Sequence, residues 1–185
     1  MNATIDVTNI QIETQRLILR PWRMTDLQDL FEYARIDGVG EMAGWCHHRS
    51  EEESRRILDM FIAQRKTFAL ELKSNRKVIG SLGLEELDPD PMDGNVFGRE
   101  IGYVLSKDYW GRGLMTEAVQ AVIDYCFGTL HYGYLTCGHF LQNDRSRRVI
   151  EKSGFQCFGE SKYETRYDTV ETSRNYLIKN PTKGR

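Results

Sequence analysis

The spacing of apolar residues predicts a strand and two helices in the first third of the chain. Apolar and polar positions alternate over residues 16–22, which is the pattern of a strand, and Pro21 ends it. Capping boxes follow at residues 25–28 and 50–53, and each precedes apolar residues at helical spacing. Residues 1–14 show little pattern, so we expect a loosely ordered lead-in followed by strand, helix and helix.

The rest of the chain predicts further strands and helices around one glycine-bearing loop. In chain order we expect strands at residues 68–72, 77–87 and 96–105, a helix from the loop to Gly128, a strand at 132–140, a short helix capped by Asn143, and strands at 156–162 and 173–179. A turn is expected at residues 93–95. The order β-α-α-β-β-β-α-β-α-β-β predicts one mixed α+β domain over residues 1–185.

Composition excludes several classes of partner. The 185 residues carry a net charge of −2, so we expect no nucleic acid and no membrane as partner. The first residues lack the pattern of a signal peptide, and no apolar run reaches membrane-spanning length. The cysteines form no Cys-x-x-Cys pair, which indicates reduced thiols and a cytoplasmic protein. Cys126, His131, Cys137 and His139 fit no standard zinc spacing, and we expect no metal.

The most informative stretch, residues 99–117, runs from a strand through a loop with Gly111 and Gly113 into a helix. This order brings unpaired backbone N–H groups and the positive end of a helix dipole together, which favours an anion. A Rossmann site would need a third glycine where Thr116 stands, and a Walker loop would need a Gly-Lys-Ser/Thr ending. The remaining interpretation is a pyrophosphate held by backbone N–H groups, with Arg112 as an added cation.

Four separated motifs resemble those of the GNAT N-acetyltransferase superfamily. They are the run at residues 16–22, Glu100-Ile-Gly-Tyr, Tyr109-Trp-Gly-Arg-Gly-Leu-Met-Thr-Glu-Ala, and Asn143-x-x-Ser146 followed by Val149-Ile-Glu-Lys-x-Gly-Phe. Within the superfamily they are similar to the ribosomal-protein (Rim-type) N-terminal acetyltransferases. The resemblance implies a central, twisted, mostly antiparallel sheet of about seven strands, with a V-shaped cofactor gap and about four flanking helices.

The resemblance also implies acetyl-CoA as the acetyl donor, with its pantetheine arm in the gap and its pyrophosphate on the glycine loop. The residues carried over to this role are Val104, Leu105, Trp110, Gly111, Arg112, Gly113, Leu114, Met115, Thr116, Asn143 and Ser146. Trp110 and Met115 depart from the residues usual in the superfamily. Met115 must therefore point its side chain away from the loop if its backbone is to approach a phosphate.

Acetyl transfer to an amine needs a base for the ammonium, a donor for the developing oxyanion and an acid for the departing thiolate. Strand alternation places Glu100 beside the implied gap, which makes it our first candidate for the base. His139, on the strand that would form the other wall, is the alternative. Relatives usually have a tyrosine where Ile150 stands, so Ser146 is the remaining candidate for a contact with the sulfur.

The loop between the first two predicted helices is expected to admit the acceptor amine, because relatives admit it there. Trp45, His47 and His48 are therefore candidate substrate contacts. The acceptor stays open between the N-terminus of a ribosomal protein and a small amine. The alternatives to an enzyme of this kind are a non-catalytic acyl-CoA-binding or sensor module on the same fold, and a nucleotide-dependent transferase. The pattern leaves monomer and homodimer open.

Overall fold

An open sheet of eight strands, in the order β1-β2-β3-β4-β5-β6-β8-β7, forms the centre of the computed structural model. The model describes residues 1–92 and 96–182, and the turn expected at residues 93–95 lies outside this range. The strands are β1 Ile12–Glu13, β2 Leu17–Pro21, β3 Thr67–Leu72, β4 Val78–Glu85, β5 Gly98–Leu105, β6 Tyr134–Phe140, β7 Gln156–Glu164 and β8 Val170–Lys179. The helices are α1 Leu27–Ala34, α2 Glu51–Gln64, α3 Leu114–Gly128 and α4 Asp144–Lys152. The predicted α+β class is confirmed. β1 is a strand that the apolar pattern did not predict.

The beginning of the chain packs against the sheet, contrary to the loose lead-in that we expected. Ala3 and Val7 are buried in the core. Asn2 forms a bridge with Gly98 of β5, and β1 pairs with β2 in antiparallel register. A strand of two residues shows no alternation, so its pairing is invisible to a search for periodic apolar positions.

The two predicted capping boxes have different outcomes. Ser50 caps α2 as expected, because its Oγ accepts the N–H of Glu53 at 3.2 Å. The expectation that Thr25 opens the first helix is wrong, since a 3-10 turn at Met24–Asp26 precedes α1 and Asp26 accepts the N–H of Arg23 at 2.8 Å. Asp26 takes this position because it also binds a buried arginine, a tertiary contact that local spacing does not show.

The sheet separates two apolar layers, and β5 contributes to both of them. Ile101 and Leu105 pack in the cluster that α3 and α4 cover. Val104 packs on the opposite face, in the cluster that α1 and α2 cover. Because successive side chains of a strand point to opposite faces, Glu100 and Gly102 share the α1–α2 face with Val104.

Strands β5 and β6 are parallel and separate partway along their length. The last register pair between them is Ile101 with Cys137. β5 nevertheless continues to Leu105 and β6 to Phe140. Within the described residues, this end of β5 is therefore paired with β4 on one side and with no strand on the other. The implied V-shaped gap is therefore present in the sheet.

No helix of the described chain is long and apolar enough to cross a membrane.

A buried ion cluster joins β2, β3 and the start of α1. Both terminal nitrogens of Arg20 donate to the carboxylate of Asp26, at 2.8 and 2.9 Å, and its Nε donates to Glu71 at 2.5 Å. The three side chains are almost inaccessible to solvent, which makes each partner costly to remove.

We expect Asp26→Ala to lower the free energy of unfolding by about 3 kcal/mol, because it removes the carboxylate that pairs with both terminal nitrogens of the buried Arg20 guanidinium. Urea denaturation measures this value. Asp59→Ala, at an exposed position of α2, is the matched control and should change stability by less than about 0.5 kcal/mol. Equal effects of the two substitutions would show that the cluster does not stabilise the fold.

Candidate active site

A cleft of about 1160 Å³ opens where β5 and β6 separate. One part of it, which we call the loop end, is lined by the glycine loop and by residues of α4. The other part, which we call the sheet end, is lined by residues of α2, by the loop before α2 and by the α1–α2 face of the sheet. The cleft therefore connects the segment that favours an anion with the segment that carries Glu100.

Two glycines shape the loop end. Gly111 and Gly113 both have a φ of 75°, a left-handed conformation that is costly for residues with a Cβ atom. α3 begins directly afterwards, and the first N–H groups of a helix have no partner within it. The Leu114 and Met115 side chains are buried in the core, which is the orientation that an approach of the Met115 backbone to a phosphate requires. Together, these features form a backbone site suited to an anion.

The start of α3 is tied to the turn between β1 and β2 through Glu117. Its carboxylate accepts the Arg16 backbone N–H at 2.8 Å, the Arg16 Nε at 2.7 Å and the Thr14 hydroxyl at 2.5 Å. Arg16 Nη1 also donates to the Arg112 carbonyl at 2.8 Å. The Arg112 guanidinium lies over the Tyr109 ring at 5.2 Å and is not among the groups that line the cleft. The geometry therefore does not support Arg112 as a side-chain cation for the anion.

A different arginine supplies positive charge at the loop end. The Arg145 guanidinium lies 4.0 Å from the centre of the Trp110 ring, and both residues line the cleft. Trp110 is itself held by its Nε1, which donates to the Leu105 carbonyl at 2.7 Å. The sequence shows Arg145 only as one of several basic residues of α4, among which a phosphate contact is possible for any one. Arg148 and Lys152 line the cleft as well.

The direction of the β5 backbone corrects one predicted contact. The Ser106 N–H donates to the Ile79 carbonyl of β4 at 2.8 Å, and the Val104 carbonyl also points at β4. Since hydrogen-bonding direction alternates along a strand, Tyr103 and Leu105 direct their backbone groups toward the gap. The geometry therefore assigns the backbone contact with an occupant of the gap to Tyr103 rather than Val104, while Leu105 still offers its N–H.

The first turn of α4 brings Asn143 and Ser146 to the cleft. Asn143 Oδ1 accepts the Ser146 N–H at 3.1 Å, so the asparagine caps the helix as predicted. Ser146 Oγ lies 2.8 Å from the hydroxyl of Tyr103. Burial, and to a lesser extent Cys137, raises the pKa of Tyr103 well above its ordinary value, so this hydroxyl keeps its proton. Sequence reasoning missed Tyr103, whose pairing with Ser146 depends on how β5 and α4 pack.

Glu100 is a half-buried carboxylate of the sheet end, one residue before the last β5–β6 register pair. Its register partner on β4 is Glu85, and its partner on β6 is Thr136. Burial raises the pKa of Glu100 to about 6, and the nearby charge of Glu85 adds to this effect. A carboxylate with this pKa is a better proton acceptor than an exposed glutamate and is still largely ionised at neutral pH.

The ring of His139 is held by two partners within the core. Its Nδ1 donates to the Phe140 carbonyl at 2.8 Å, and its Nε2 lies 3.2 Å from the Tyr176 hydroxyl, which it accepts. The side chain is 4 % exposed. Both ring nitrogens are thus engaged, which is typical of a structural histidine and leaves Glu100 as the better placed base.

Of the three predicted acceptor contacts in the loop before α2, two line the cleft and one does not. Trp45 and His48 line the sheet end, and their rings contact each other at 5.1 Å. His48 is buried with its Nδ1 2.7 Å from Ser54 Oγ, and burial lowers its pKa. His47 does not line the cleft, because its ring turns outward to the Glu41 carboxylate at 2.9 Å. The geometry therefore does not support a substrate contact for His47.

Comparison with known proteins agrees with this arrangement. The sequence model of the family described as "Acetyltransferase (GNAT) domain" matches residues 16–156. The chain is 29% identical to N-acetyltransferase YoaA of Bacillus subtilis over 150 residues, which cover 78% of this chain and 82% of that protein. It is 23% identical over 172 residues to the [Ribosomal protein uS5]-alanine N-acetyltransferase of Escherichia coli, covering 85% of this chain and 84% of that enzyme.

A solved structure shares the fold. The acetyltransferase (GNAT family) from Bacillus anthracis superimposes with a TM-score of 0.80 at 21% identity. The match covers 92% of this chain and 99% of that one. At this level of identity the likeness shows the fold alone.

The raised pKa of Glu100 predicts that its charge destabilises the fold at neutral pH. A group whose folded pKa lies above its unfolded value binds more protons in the native state, so stability falls as pH rises from about 4.5 through about 6. We expect Glu100→Gln, which mimics the neutral form, to raise the free energy of unfolding by about 1 to 2 kcal/mol at pH 7.5.

Urea denaturation at pH 7.5 and pH 4.5 tests this expectation, with Glu86→Gln as the control because Glu86 is exposed. The gain from Glu100→Gln should shrink toward zero at the lower pH. A gain of equal size at both pH values would mean that it does not come from titration of Glu100.

Proposed function

The chain belongs to the GNAT family and is an N-acetyltransferase, and we propose that its acceptor is a primary amine, either a protein N-terminus or a small amine. We further propose that the acetyl group passes directly from donor to amine while both lie in the cleft. The observation that carries the proposal is the position of Glu100, a half-buried carboxylate with a pKa near 6 beside the gap between β5 and β6.

The loop end fits the donor that this family generally uses, acetyl-CoA. The N–H groups around Gly113 and in the first turn of α3 suit a pyrophosphate, and the Arg145 guanidinium adds positive charge. The backbone groups of Tyr103 and Leu105 suit an amide-bearing chain in the gap, because they have no strand partner there among the described residues. Acetyl-CoA supplies an acetyl thioester, and every other part of the chemistry falls to the protein.

Glu100 acts as the base in this proposal. Amines have pKa values of about 8 to 10 in water, so the acceptor enters as an ammonium ion and must lose a proton before it attacks. The Glu100 carboxylate accepts that proton, directly or through one water molecule. Its raised pKa lies closer to the pKa of the ammonium ion, which makes the transfer less unfavourable. We prefer Glu100 to His139 because both ring nitrogens of the histidine have partners.

The Tyr103–Ser146 pair is proposed to stabilise the departing thiolate by hydrogen bonding. The two hydroxyls lie 2.8 Å apart in the cleft wall, and the raised pKa of Tyr103 keeps it a hydrogen-bond donor rather than a phenolate. One hydroxyl donates a hydrogen bond to the sulfur while the second hydroxyl donates to the first, which spreads the negative charge over two groups, and the thiolate then takes its proton from water. Relatives usually have a tyrosine at the position of Ile150, and the isoleucine side chain has no hydrogen-bond donor. The pair would take the place of that tyrosine.

The sheet end is proposed to receive the acceptor. Its wall combines the Trp45 ring with apolar side chains of α2, including Ile57 and Phe61. An apolar wall beside a carboxylate suits an amine that carries an uncharged organic group. The alanine N-terminus of ribosomal protein uS5, named as the substrate of the relative from Escherichia coli, is one acceptor of this kind.

We expect Glu100→Gln to lower kcat/KM by roughly 10² to 10⁴ for whichever amine the wild-type enzyme accepts, because the substitution removes the base. The measurement is release of the CoA thiol from acetyl-CoA in a screen that holds peptides with free N-termini and small amines side by side. For the wild type, kcat/KM should rise with pH through about 6, the pKa of Glu100. Glu86→Gln is the control and should keep the wild-type profile.

The screen also separates an enzyme from a sensor module. Tight binding of acetyl-CoA without turnover of any amine would favour the sensor and contradict the proposal. Full activity of Glu100→Gln across the pH range would remove Glu100 from the mechanism while leaving acetyl transfer in place.

Removing either hydroxyl of the Tyr103–Ser146 pair should slow turnover. We expect Tyr103→Phe and Ser146→Ala each to lower kcat by roughly ten- to a hundredfold, and the double variant to lose less than the product, because the hydroxyls act as one unit. Steady-state kinetics at saturating acetyl-CoA measures this loss. Tyr125→Phe, which does not line the cleft, is the control. Wild-type kcat in both single variants would show that the two hydroxyls take no part in the reaction.

A further inference from the structure

We propose that Glu85 binds the ammonium group of the acceptor beside Glu100 and so selects primary amines that have no carboxylate next to the amine. This inference rests on the proposed function, since it names the class of acceptor for the same cleft. The strand patterns predicted Glu85 as a residue of β4 and nothing more. Its role emerges from the way three strands align at the sheet end.

Two glycines place the Glu85 carboxylate over the floor of the cleft. Gly83 and Gly102 are register partners on β4 and β5, and the next pair on the same face of the sheet is Glu85 with Glu100. A Cβ atom added to Gly83 would collide with Glu85 Oε1, and one added to Gly102 would lie 3.8 Å from Glu85 Cγ. The Glu85 side chain therefore lies over the backbone of the two glycines. Because neither glycine has a side chain, the floor of the cleft between the Glu85 carboxylate and the gap stays open.

An unpartnered hydroxyl points to a polar ligand at the same place. Thr67 of β3 is the register partner of Gly83, and its Oγ1 lies 3.3 Å from where a Cβ of Gly83 would be. This oxygen is buried, lines the cleft and has no hydrogen-bond partner within the described residues. Buried hydroxyls are normally satisfied, so a ligand with N–H groups is the natural partner. Glu85, Glu100 and Thr67 together offer three acceptors, and a primary ammonium offers three donors.

The charge at the floor is negative. Lys66 lies 2.5 Å from Glu85 Oε2, on the side away from the oxygen that lies over Gly83. One lysine against two carboxylates leaves the pair with a net negative charge, and Glu85 contributes to the raised pKa of Glu100. The Cys137 thiol of β6 packs in the opposite apolar layer and stays protonated, because burial, together with the nearby charge of Glu100, raises its pKa. The other ionisable side chains that line this part of the cleft include Cys46, His48, Glu53, His139, Tyr163 and Arg166.

This arrangement discriminates by charge. A peptide N-terminus or an alkylamine presents an ammonium with no adjacent negative group. A free α-amino acid brings a carboxylate within a few ångströms of Glu85 and Glu100, and like charges at close range are strongly disfavoured. The inferred acceptor class is therefore primary amines whose amine-bearing carbon carries no carboxylate.

Binding of a minimal ammonium ion tests the site without any turnover. The probe is ethylammonium chloride, and tetramethylammonium chloride is the matched cation without N–H donors. NMR of side-chain carboxyl carbons follows Glu100 during each titration. We expect ethylammonium alone to shift the Glu100 resonance in the wild type, and Glu85→Gln to weaken its binding roughly five- to tenfold. Glu86→Gln should bind as the wild type does.

Thr67→Val is the second variant, because it removes the hydroxyl with little change of shape. It should weaken binding by a smaller factor, and it keeps the test decisive if Glu85→Gln does not fold. Equal responses to the two cations, or wild-type binding by both Glu85→Gln and Thr67→Val, would overturn the proposal.

Turnover of a matched pair of acceptors tests the selection. We expect the wild-type kcat/KM for alaninamide to exceed that for alanine at least roughly tenfold, and Glu85→Gln to narrow the ratio. An unchanged ratio in an active Glu85→Gln variant would overturn the assignment of selectivity to Glu85 while acetyl transfer stands. Binding of ethylammonium without turnover of any amine would instead contradict the proposed function alone.

Discussion

The separation of β5 from β6 after Ile101 and Cys137 is the constraint on which the site depends. Backbone N–H and C=O groups need partners, and in most sheets the neighbouring strand provides them. Here the strands stay in register only up to this pair, and β5 runs on to Leu105 with backbone groups directed into a cleft. A molecule with amide groups, such as the proposed donor, would satisfy those positions. The same separation places the glycine loop at one end of the cleft and Glu100 near the other, so the geometry of one strand pair sets where both substrates meet.

Features with local causes could be predicted from the sequence. The Ser50 cap of α2 and the Asn143 cap of α4 each need one side chain and one nearby N–H group, and both are present. The glycine loop was recognisable because the strand before it and the helix after it both have clear periodicity. The apolar pattern predicted the order of the elements, which the structure reproduces apart from β1, and the four motifs that resemble GNAT proteins implied the V-shaped gap. Among the elements, the lead-in and the start of α1 differ from the prediction, and both depend on tertiary contacts rather than on local spacing.

Features that depend on register or on side-chain direction could not be predicted in this way. Tyr103 rather than Val104 faces the gap because β4 takes the alternate backbone groups of β5, and this depends on the pairing of the two strands. Arg112 and His47 belong to the right segments, yet each turns to another partner, the Tyr109 ring and the Glu41 carboxylate. A motif therefore locates a site to within a few residues, and packing decides which side chains face it.

The two groups of carboxylates on the α1–α2 face of the sheet show how stability and function divide this surface. Glu71 is paired with two cations, Arg20 at 2.5 Å and Arg76 at 2.7 Å, although its Oε1, like the Thr67 hydroxyl, has no hydrogen bond of ordinary geometry among the described residues. Four residues earlier on the same strand and face, the Thr67 hydroxyl has no partner in the described chain, and the nearby Glu100 has its pKa raised by burial. A fold selected only for stability would pair or replace such groups, because buried polar atoms without partners cost free energy. Their persistence over an open glycine floor is best explained by a ligand that supplies the missing donors, and a primary ammonium ion has the number and the charge that this floor requires.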